Sequence, residues 1–205
     1  CARCALRATT RPLPNPGAAV DRIVIGQHLC PFAPPVRRPP QLSLVISRAM
    51  SLDGVVSEFA ELANGLRVGI DSPELAPLGG ATSLLILDDC VGGQPLSWRD
   101  LVSLSWRLQE EAIVNPGHAD HLQIVCFHPQ ASHSTYIDSG APPDAADFAI
   151  RSPYPTVQLL REVDILKAVR SYPSAADIPA RNRIRMRADG FAACEERLQS
   201  CSRDS

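Results

Sequence analysis

The chain has 205 residues, of which 45% are hydrophobic and 20% charged, and its formal net charge at pH 7 is -2. A chain of this size and composition can bury one core, and its nearly balanced charge does not favour nucleic acid as a partner. No apolar run approaches the roughly 18 residues that a membrane-spanning helix needs. Seven cysteines without paired spacing favour reduced thiols over a disulfide framework.

Residues 1–19 are predicted to form an extended proline-rich tail without a core of its own. This segment has three arginines and no acidic residue, which is typical of an organelle transit peptide or its remnant. Its alanine- and proline-rich composition favours a plastid over a mitochondrion. We therefore expect an organellar protein whose tail contacts neighbouring subunits.

The next segment begins with a short helix over residues 20–29, which a proline cluster ends. Residues 42–47 are predicted to form a strand. From Leu52 to Leu66, apolar residues recur at helical spacing and predict one amphipathic helix. These elements open a single domain, which we expect to span residues 20–199.

Two further strands and a helix complete the predicted core. The almost wholly apolar run 82–87 predicts a strand that is covered on both faces, and the apolar run 121–127 predicts the third strand. Between them, Ser97 and Asp100 have the spacing of a capping box before a helix over residues 98–112. The order β-α-β-α-β predicts an α/β fold with a small sheet and flanking helices, arranged either in parallel or in a ferredoxin-like order.

The last third of the domain is predicted to consist of an irregular loop and two helices. The loop covers residues 130–150, and the helices cover residues 156–171 and 178–191. Residues 200–205 are expected to form a C-terminal tail. Within this part, prolines 153 and 155 fix the backbone around Arg151 and Tyr154 just before the first of these helices, which indicates a shaped polar site.

Four stretches together resemble an uncharacterised family of roughly 200-residue domains from bacteria and plastid-bearing eukaryotes. They are Leu29-Cys30-Pro31-Phe32-Ala33, Phe127-His128-Pro129, the run from Arg151 to Glu162, and Ile178 with Arg181-Asn182. The resemblance covers about residues 20–191. It implies that the family's motif residues here are Cys30, His128, Arg151, Tyr154, Arg161, Glu162 and Asn182. The chain departs from the family pattern at His28, at residues 131–133 and at residues 149–150.

The motif residues allow several chemical roles. An enzyme would use Cys30 as a nucleophile and His128 as a general acid or base. A binding site for a carboxylate or phosphate would use Arg151, Ser152, Tyr154, Arg161, Glu162 and Asn182, with Arg161 and Glu162 orienting one another. The alternative is that the arginines form a structural network that clamps loop carbonyls.

A metal site is not predicted, although Cys126 and His128 with His28 and Cys30 would supply a Cys2His2 set. No cofactor is predicted. Four arginines alternate along residues 181–187 and would share one face of an extended segment, but a helix would scatter them, so nucleic acid is not an expected partner.

Two functions follow as hypotheses. The first is an accessory or structural subunit of a large organellar membrane-protein assembly, photosynthetic rather than respiratory, bound through its N-terminal tail and C-terminal region. The second is an enzyme or small-molecule-binding protein that acts on an anionic ligand. The altered neighbours of the motifs and the transit-like start favour the first.

Overall fold

A computed structural model of the chain describes residues 15–37, 41–71, 82–133 and 143–203. Four strands form the main sheet in the order β1-β2-β4-β3. Strands β1 and β2 are parallel, and β4 is antiparallel to both of its neighbours, β2 and β3. The strands are β1, Leu42–Ile46; β2, Thr82–Ile86; β3, Leu122–Phe127; and β4, Thr156–Arg161. The α/β class is confirmed. The sheet is mixed, and its parallel pair, β1 and β2, lies at one edge, so the sheet is neither all-parallel nor ferredoxin-like, where the parallel pair is central.

Seven helices in the described part of the chain surround this sheet. They are α1, which is Pro16–Ala19 continued by the π-helical turn Val20–Ile25; α2, Ala33–Val36; α3, Leu52–Asp71; α4, Trp98–Leu108 continued by the π-helical turn Gln109–Val114; α5, Glu162–Ser171; α6, Ile178–Asp189; and α7, Phe191–Arg203. Short 3-10 helices cover Ala145–Ala149 and Ala175–Asp177, and residues 90–95 form a small hairpin.

The capping box predicted for α4 is confirmed. The backbone N–H of Asp100 donates to Ser97 Oγ at 3.2 Å, and the backbone N–H of Ser97 donates to Asp100 Oδ2 at 3.0 Å. These two bonds use donors that would otherwise be unpaired at the start of the helix. They explain why α4 begins at Trp98, after the hairpin.

The predicted helix over residues 156–171 is wrong in its first six residues, which form β4 at the centre of the sheet. A short apolar run cannot be assigned to helix or strand by periodicity alone. Here the prolines favour the extended form, since the pairing already begins at Pro155, whose carbonyl accepts from the Leu87 N–H at 2.8 Å. The helix, α5, begins only at Glu162.

The ends of the described chain are helical further out than the sequence suggested. Residues 16–19, assigned to the N-terminal tail, form the first turn of α1. At the other end α7 continues to Arg203, and Cys201 within it is buried. The helix predicted over residues 178–191 ends at Asp189, because Gly190 has a φ of 84° and breaks the helical path before α7 starts.

The main core lies on one face of the sheet, against α3 and α4. Its fully buried side chains include Phe59 of α3, Leu108 of α4, Leu85 of β2, and Val157 and Leu159 of β4. A smaller cluster joins the N-terminal segment to α6 and α7 and consists of Leu29, Phe148, Met186, Cys194 and Leu198. The second face of the sheet is turned away from the main core.

Across the described ranges, none of the helices combines the length and the hydropathy that a membrane span requires.

Candidate functional site

The second face of the sheet borders a cavity of about 520 Å³, which lies between the sheet and helices α1, α2 and α5. Two adjacent leucines of β2 show the difference between the faces. Leu85 points into the main core and is 0% exposed, whereas Leu84 lines the cavity and is only partly buried. Because side chains alternate along a strand, the whole inner face of β2 and β4 is presented to this space.

Apolar side chains form most of the cavity wall. The sheet contributes Leu84, Ile86 and Leu160, and the helices contribute Ile23, Val24 and Ile165. Ligand pockets have volumes of about 300–1,000 Å³ and mostly apolar walls. The size and lining of this cavity fall within that range.

Polar side chains on the sheet side of the cavity already have hydrogen-bond partners within the protein. Thr82 Oγ1 donates to the Leu159 carbonyl at 2.8 Å and accepts from Gln158 Nε2 at 3.0 Å. Thr156 Oγ1 donates to the Tyr154 carbonyl at 2.9 Å. Since these groups satisfy one another, the cavity offers a ligand mainly apolar contact.

Charged side chains at the cavity wall are also paired. Of the described residues that line it, Arg151 and Asp164 carry charge. Asp164 Oδ2 accepts from Arg161 Nε at 2.5 Å. Arg161 and Glu162 do not orient one another as predicted, because Glu162 instead accepts a hydrogen bond from the Gln123 side chain of β3.

Arg151 is held by an interlocked set of contacts. Its Nε donates to the Ala131 carbonyl at 3.1 Å, and its guanidinium lies 4.5 Å from the centre of the Phe148 ring and 5.6 Å from that of Phe191. A terminal nitrogen lies 3.8 Å from Asp147 Oδ2. Burial lowers the pKa of Arg151, and Asp147 opposes this shift. This geometry matches the structural alternative, in which an arginine clamps loop carbonyls.

The structure brings five of the predicted site residues to the cavity wall and leaves three away from it. Cys30, Arg151, Ser152, Tyr154 and Asn182 line the cavity, whereas His128, Arg161 and Glu162 are not among its lining residues. Asn182 also fixes the fold locally, since its Nδ2 donates to the Leu29 carbonyl at 2.7 Å and so joins α6 to the segment before Cys30. Ser152 Oγ likewise donates to the Tyr154 carbonyl, at 2.5 Å.

His128 is buried, with both ring nitrogens engaged. Nε2 lies 2.9 Å from the Leu96 carbonyl and therefore carries the proton, while Nδ1 accepts from the Gln130 N–H at 3.0 Å. Burial lowers the pKa of His128 below its ordinary value, so the neutral ring is favoured. The preceding residue, Phe127, lines the cavity. The imidazole is thus bonded to loop carbonyl and amide groups outside the cavity that Cys30 lines.

Cys30 lies between the turn that follows α1 and the short helix α2. The sequence had predicted that it would lie at the end of a longer helix. Burial raises the pKa of its thiol, although backbone N–H groups of Phe32 and Ala33 act in the opposite direction. A thiol with a raised pKa remains protonated near neutral pH and is a weak nucleophile. The arrangement does not form a Cys-His catalytic pair.

The other cysteines complete this description. Burial raises the pKa of Cys126 to about 11, and this residue packs against the main core, on the face of the sheet opposite Cys30. Among the described residues there is no group of three or more His, Cys, Asp or Glu side chains that could hold a metal ion. Cys30, Cys126, Cys194 and Cys201 are free, but Cys90 is disulfide-bonded, so the expectation of reduced thiols is wrong at that position.

Sequence reasoning missed the cavity itself. Its inner wall comes from alternate residues of strands that were correctly or partly predicted, such as Thr82, Leu84 and Ile86. The available signal was the mostly apolar run 82–87, which indicates burial on both faces. That pattern does not reveal that one of the two faces borders an unfilled space.

Comparison with known proteins is informative at the level of the family. No curated protein and no solved structure matches the sequence. One family model matches residues 17–196, which is most of the chain. The chain belongs to the family described as protein of unknown function (DUF1415).

Proposed function

We propose that the protein binds a small apolar molecule in the cavity between the sheet and helices α1, α2 and α5. The observation that carries this proposal is the partial exposure of Leu84, a side chain on an inner strand, to about 520 Å³ of space with an apolar wall. Burial of apolar ligand surface is the main driving force available there, since the polar wall groups bond to one another. The ligand is thus selected by shape and hydrophobicity.

Binding is favoured over catalysis by the placement of the two candidate catalytic residues. Cys30 lines the cavity, but burial keeps its thiol protonated, and the neutral His128 ring is bonded to backbone groups outside the cavity. A general base must come within hydrogen-bond reach of the proton that it removes. The anionic-ligand enzyme that the motifs allowed therefore has less support than a carrier or sensor of a small molecule.

Filling the cavity should abolish binding without harming the fold. Ala168 of α5 lines the cavity, so the ring in Ala168→Phe would occupy the ligand's space. We expect the affinity for 1-decanol, measured by displacement of the neutral dye Nile red, to fall at least tenfold. The melting temperature of the unliganded protein should stay the same or rise, because filling a void commonly adds about 0.5–2 kcal/mol of stability.

The matched control is Val163→Phe on the same helix, where the side chain is 56% exposed and outside the cavity. This variant should bind 1-decanol as the wild type does. Equal binding by both variants would contradict the cavity as the site. A large loss of stability in Ala168→Phe alone would contradict the presence of free space at that position.

We make a second proposal, that the protein is a subunit of a larger organellar assembly. The organelle would be a plastid rather than a mitochondrion, and the assembly photosynthetic rather than respiratory. One surface observation favours a protein partner. Val163, Leu166 and Val169 of α5 are 56%, 45% and 47% exposed and form an apolar stripe, here called the α5 stripe. Exposed apolar residues that lie together on one helix face are typical of contact surfaces.

The subunit proposal predicts the size of the particle that contains the chain. In gently lysed cells that produce the tagged protein, it should sediment in a particle much larger than the 22.1 kDa chain. Leu166→Glu should return it to the monomer position, because a charge in the α5 stripe opposes burial there. Ser171→Glu, at an exposed position at the end of α5, should leave the particle intact. A wild-type chain that sediments as a monomer in the fresh lysate would exclude the assembly.

A further inference from the structure

A second concave site adjoins the cavity and differs from it in charge. It is a cleft of about 360 Å³ between the turn after α1 and the exposed side of α6. Its polar wall consists of His28, Cys30, Tyr172, Arg181, Asn182 and Arg185, and none of the described residues that line it is acidic. We call this site the cationic cleft.

The two arginines of the cationic cleft have no carboxylate partner among the described residues. Arg181 donates to the Tyr172 hydroxyl at 3.3 Å, and in the part of the chain that the structure describes no carboxylate forms an ion pair with Arg185. Other arginines nearby are neutralised. Arg187, also on α6, lies 2.7 Å from Asp144, and Arg197 lies 2.5 Å from Asp189. The cleft therefore concentrates positive charge that the described part of the protein does not compensate.

The spacing of these arginines makes the charge unfavourable in the absence of an anion. Arg181 and Arg185 are four residues apart on α6, so their side chains lie on the same face of the helix and repel each other. A carboxylate or phosphate between them would remove the repulsion and accept charge-assisted hydrogen bonds from both. This arrangement fits an anion better than any other ligand group.

The cationic cleft and the apolar cavity meet at shared residues. Cys30 and Asn182 line both spaces. Asn182 is fixed there by its bond to the Leu29 carbonyl, at 2.7 Å. The cavity and the cleft are therefore neighbours at this end, where the lining changes from apolar to cationic.

We infer that the natural ligand is an anionic amphiphile, with its apolar body in the cavity and a carboxylate or phosphate head group bound by Arg181 and Arg185 in the cationic cleft. This inference rests on the proposed function and adds the class of ligand to it. It also differs from the site predicted by sequence, because the anion is held by α6 and not by Arg151 and Arg161. Those two arginines already have partners inside the protein.

Ten-carbon ligands that differ only in the head group test the inference. Displacement of Nile red would be measured with decanoate, decyl phosphate, 1-decanol and decyltrimethylammonium at low and at moderate salt. We expect decanoate or decyl phosphate to bind at least tenfold more tightly than 1-decanol, since hydrogen bonds to a charged group are worth that much or more. The cationic ligand should bind most weakly, and the advantage of the anions should shrink as salt increases. The stronger of the two anions identifies the head group.

Substitutions on α6 show whether anion binding depends on the cationic cleft or only on the net charge of the protein. Arg185→Gln should lower the affinity for the preferred anion about tenfold and leave the affinity for 1-decanol unchanged. Arg183→Gln is the matched control, because Arg183 is exposed on the same helix and lines neither space. It should change neither affinity, and both variants should keep the wild-type melting temperature.

The possible failures are distinguishable. If the wild type binds 1-decanol as tightly as both anions, the anionic head group is refuted while the apolar cavity stands. The same holds if Arg183→Gln and Arg185→Gln weaken anion binding equally, since the effect would then come from net charge alone. If none of the ligands displaces the dye, the proposed function fails, and the inference that rests on it fails too.

Discussion

Leu85→Ala is expected to lower the free energy of unfolding by about 3–4 kcal/mol, whereas Leu84→Ala should lower it by only about 1 kcal/mol. The two leucines are neighbours on β2, with the same side chain and the same backbone environment. Leu85 is 0% exposed within the main core, so its truncation leaves a hole in close-packed surroundings. Leu84 borders the cavity, where the missing atoms had fewer neighbours to lose.

Urea unfolding of both variants at constant temperature provides the measurement, with the slope checked for equality before the free energies are compared. The melting temperatures of the two variants should differ in the same direction. In a chain of this length, each kcal/mol of lost stability lowers the melting temperature by about 2–4 °C. Equal losses in the two variants would mean that the second face of the sheet is as tightly packed as the first. In that case the cavity, and the proposed function with it, would be wrong.

The elements with the strongest periodicity were predicted correctly from the sequence. The apolar stripe from Leu52 to Leu66 lies within α3, and the runs 82–87 and 121–127 contain β2 and β3. The capping box of Ser97 and Asp100 marks the start of α4, because it depends on local hydrogen bonds alone. Elements that depend on such local interactions can be predicted from the sequence.

The misassigned segment was the one whose structure depends on distant residues. Residues 156–161 become a strand because β2 and β3 supply hydrogen-bond partners on both sides, and those partners lie about 30 to 80 positions away along the chain. The apolar run Val157 to Leu160 is compatible with either a helix or a strand. The sheet order, with β4 inserted between β2 and β3, is a tertiary choice that no local pattern encodes.

The candidate site was predicted in its residue types but not in its grouping. Strand geometry separates Phe127 from His128, since consecutive side chains point to opposite faces; the first lines the cavity and the second is buried against Leu96. The arginines of α6 were considered as an extended stripe, but the helix selects Arg181 and Arg185 for one face. Spacing by itself did not indicate which surface they would meet.

His28 has an uncommon backbone conformation. It adopts a φ of 51° in the turn before Cys30, in the left-handed region that residues with a β-carbon rarely enter. The turn therefore carries backbone strain and places an imidazole at the edge of the cationic cleft.

Arg151 is the side chain whose removal should damage the fold most among the predicted site residues. Four groups depend on it: the Ala131 carbonyl, the Asp147 carboxylate and the rings of Phe148 and Phe191. The side chain of Arg151 is 14% exposed and that of Asp147 is 9% exposed. Removing the guanidinium would leave a buried carbonyl without its donor and would take one partner from the buried Asp147 carboxylate, which also accepts from His133. It would also empty the space beside two rings.

Arg151→Ala should therefore reduce the free energy of unfolding by about 3 kcal/mol, which is typical when one partner of a buried charged network is lost. Arg151→Lys should recover part of the loss, since a lysine keeps the charge over Phe148 but cannot present the planar set of donors. Arg183→Ala, exposed on α6 and unpaired among the described residues, is the control and should stay within about 0.5 kcal/mol of the wild type. If Arg151→Ala unfolds like that control yet weakens binding of the preferred anion, Arg151 holds the ligand and not the loop. The assignment of the anion to Arg181 and Arg185 would then have to be revised.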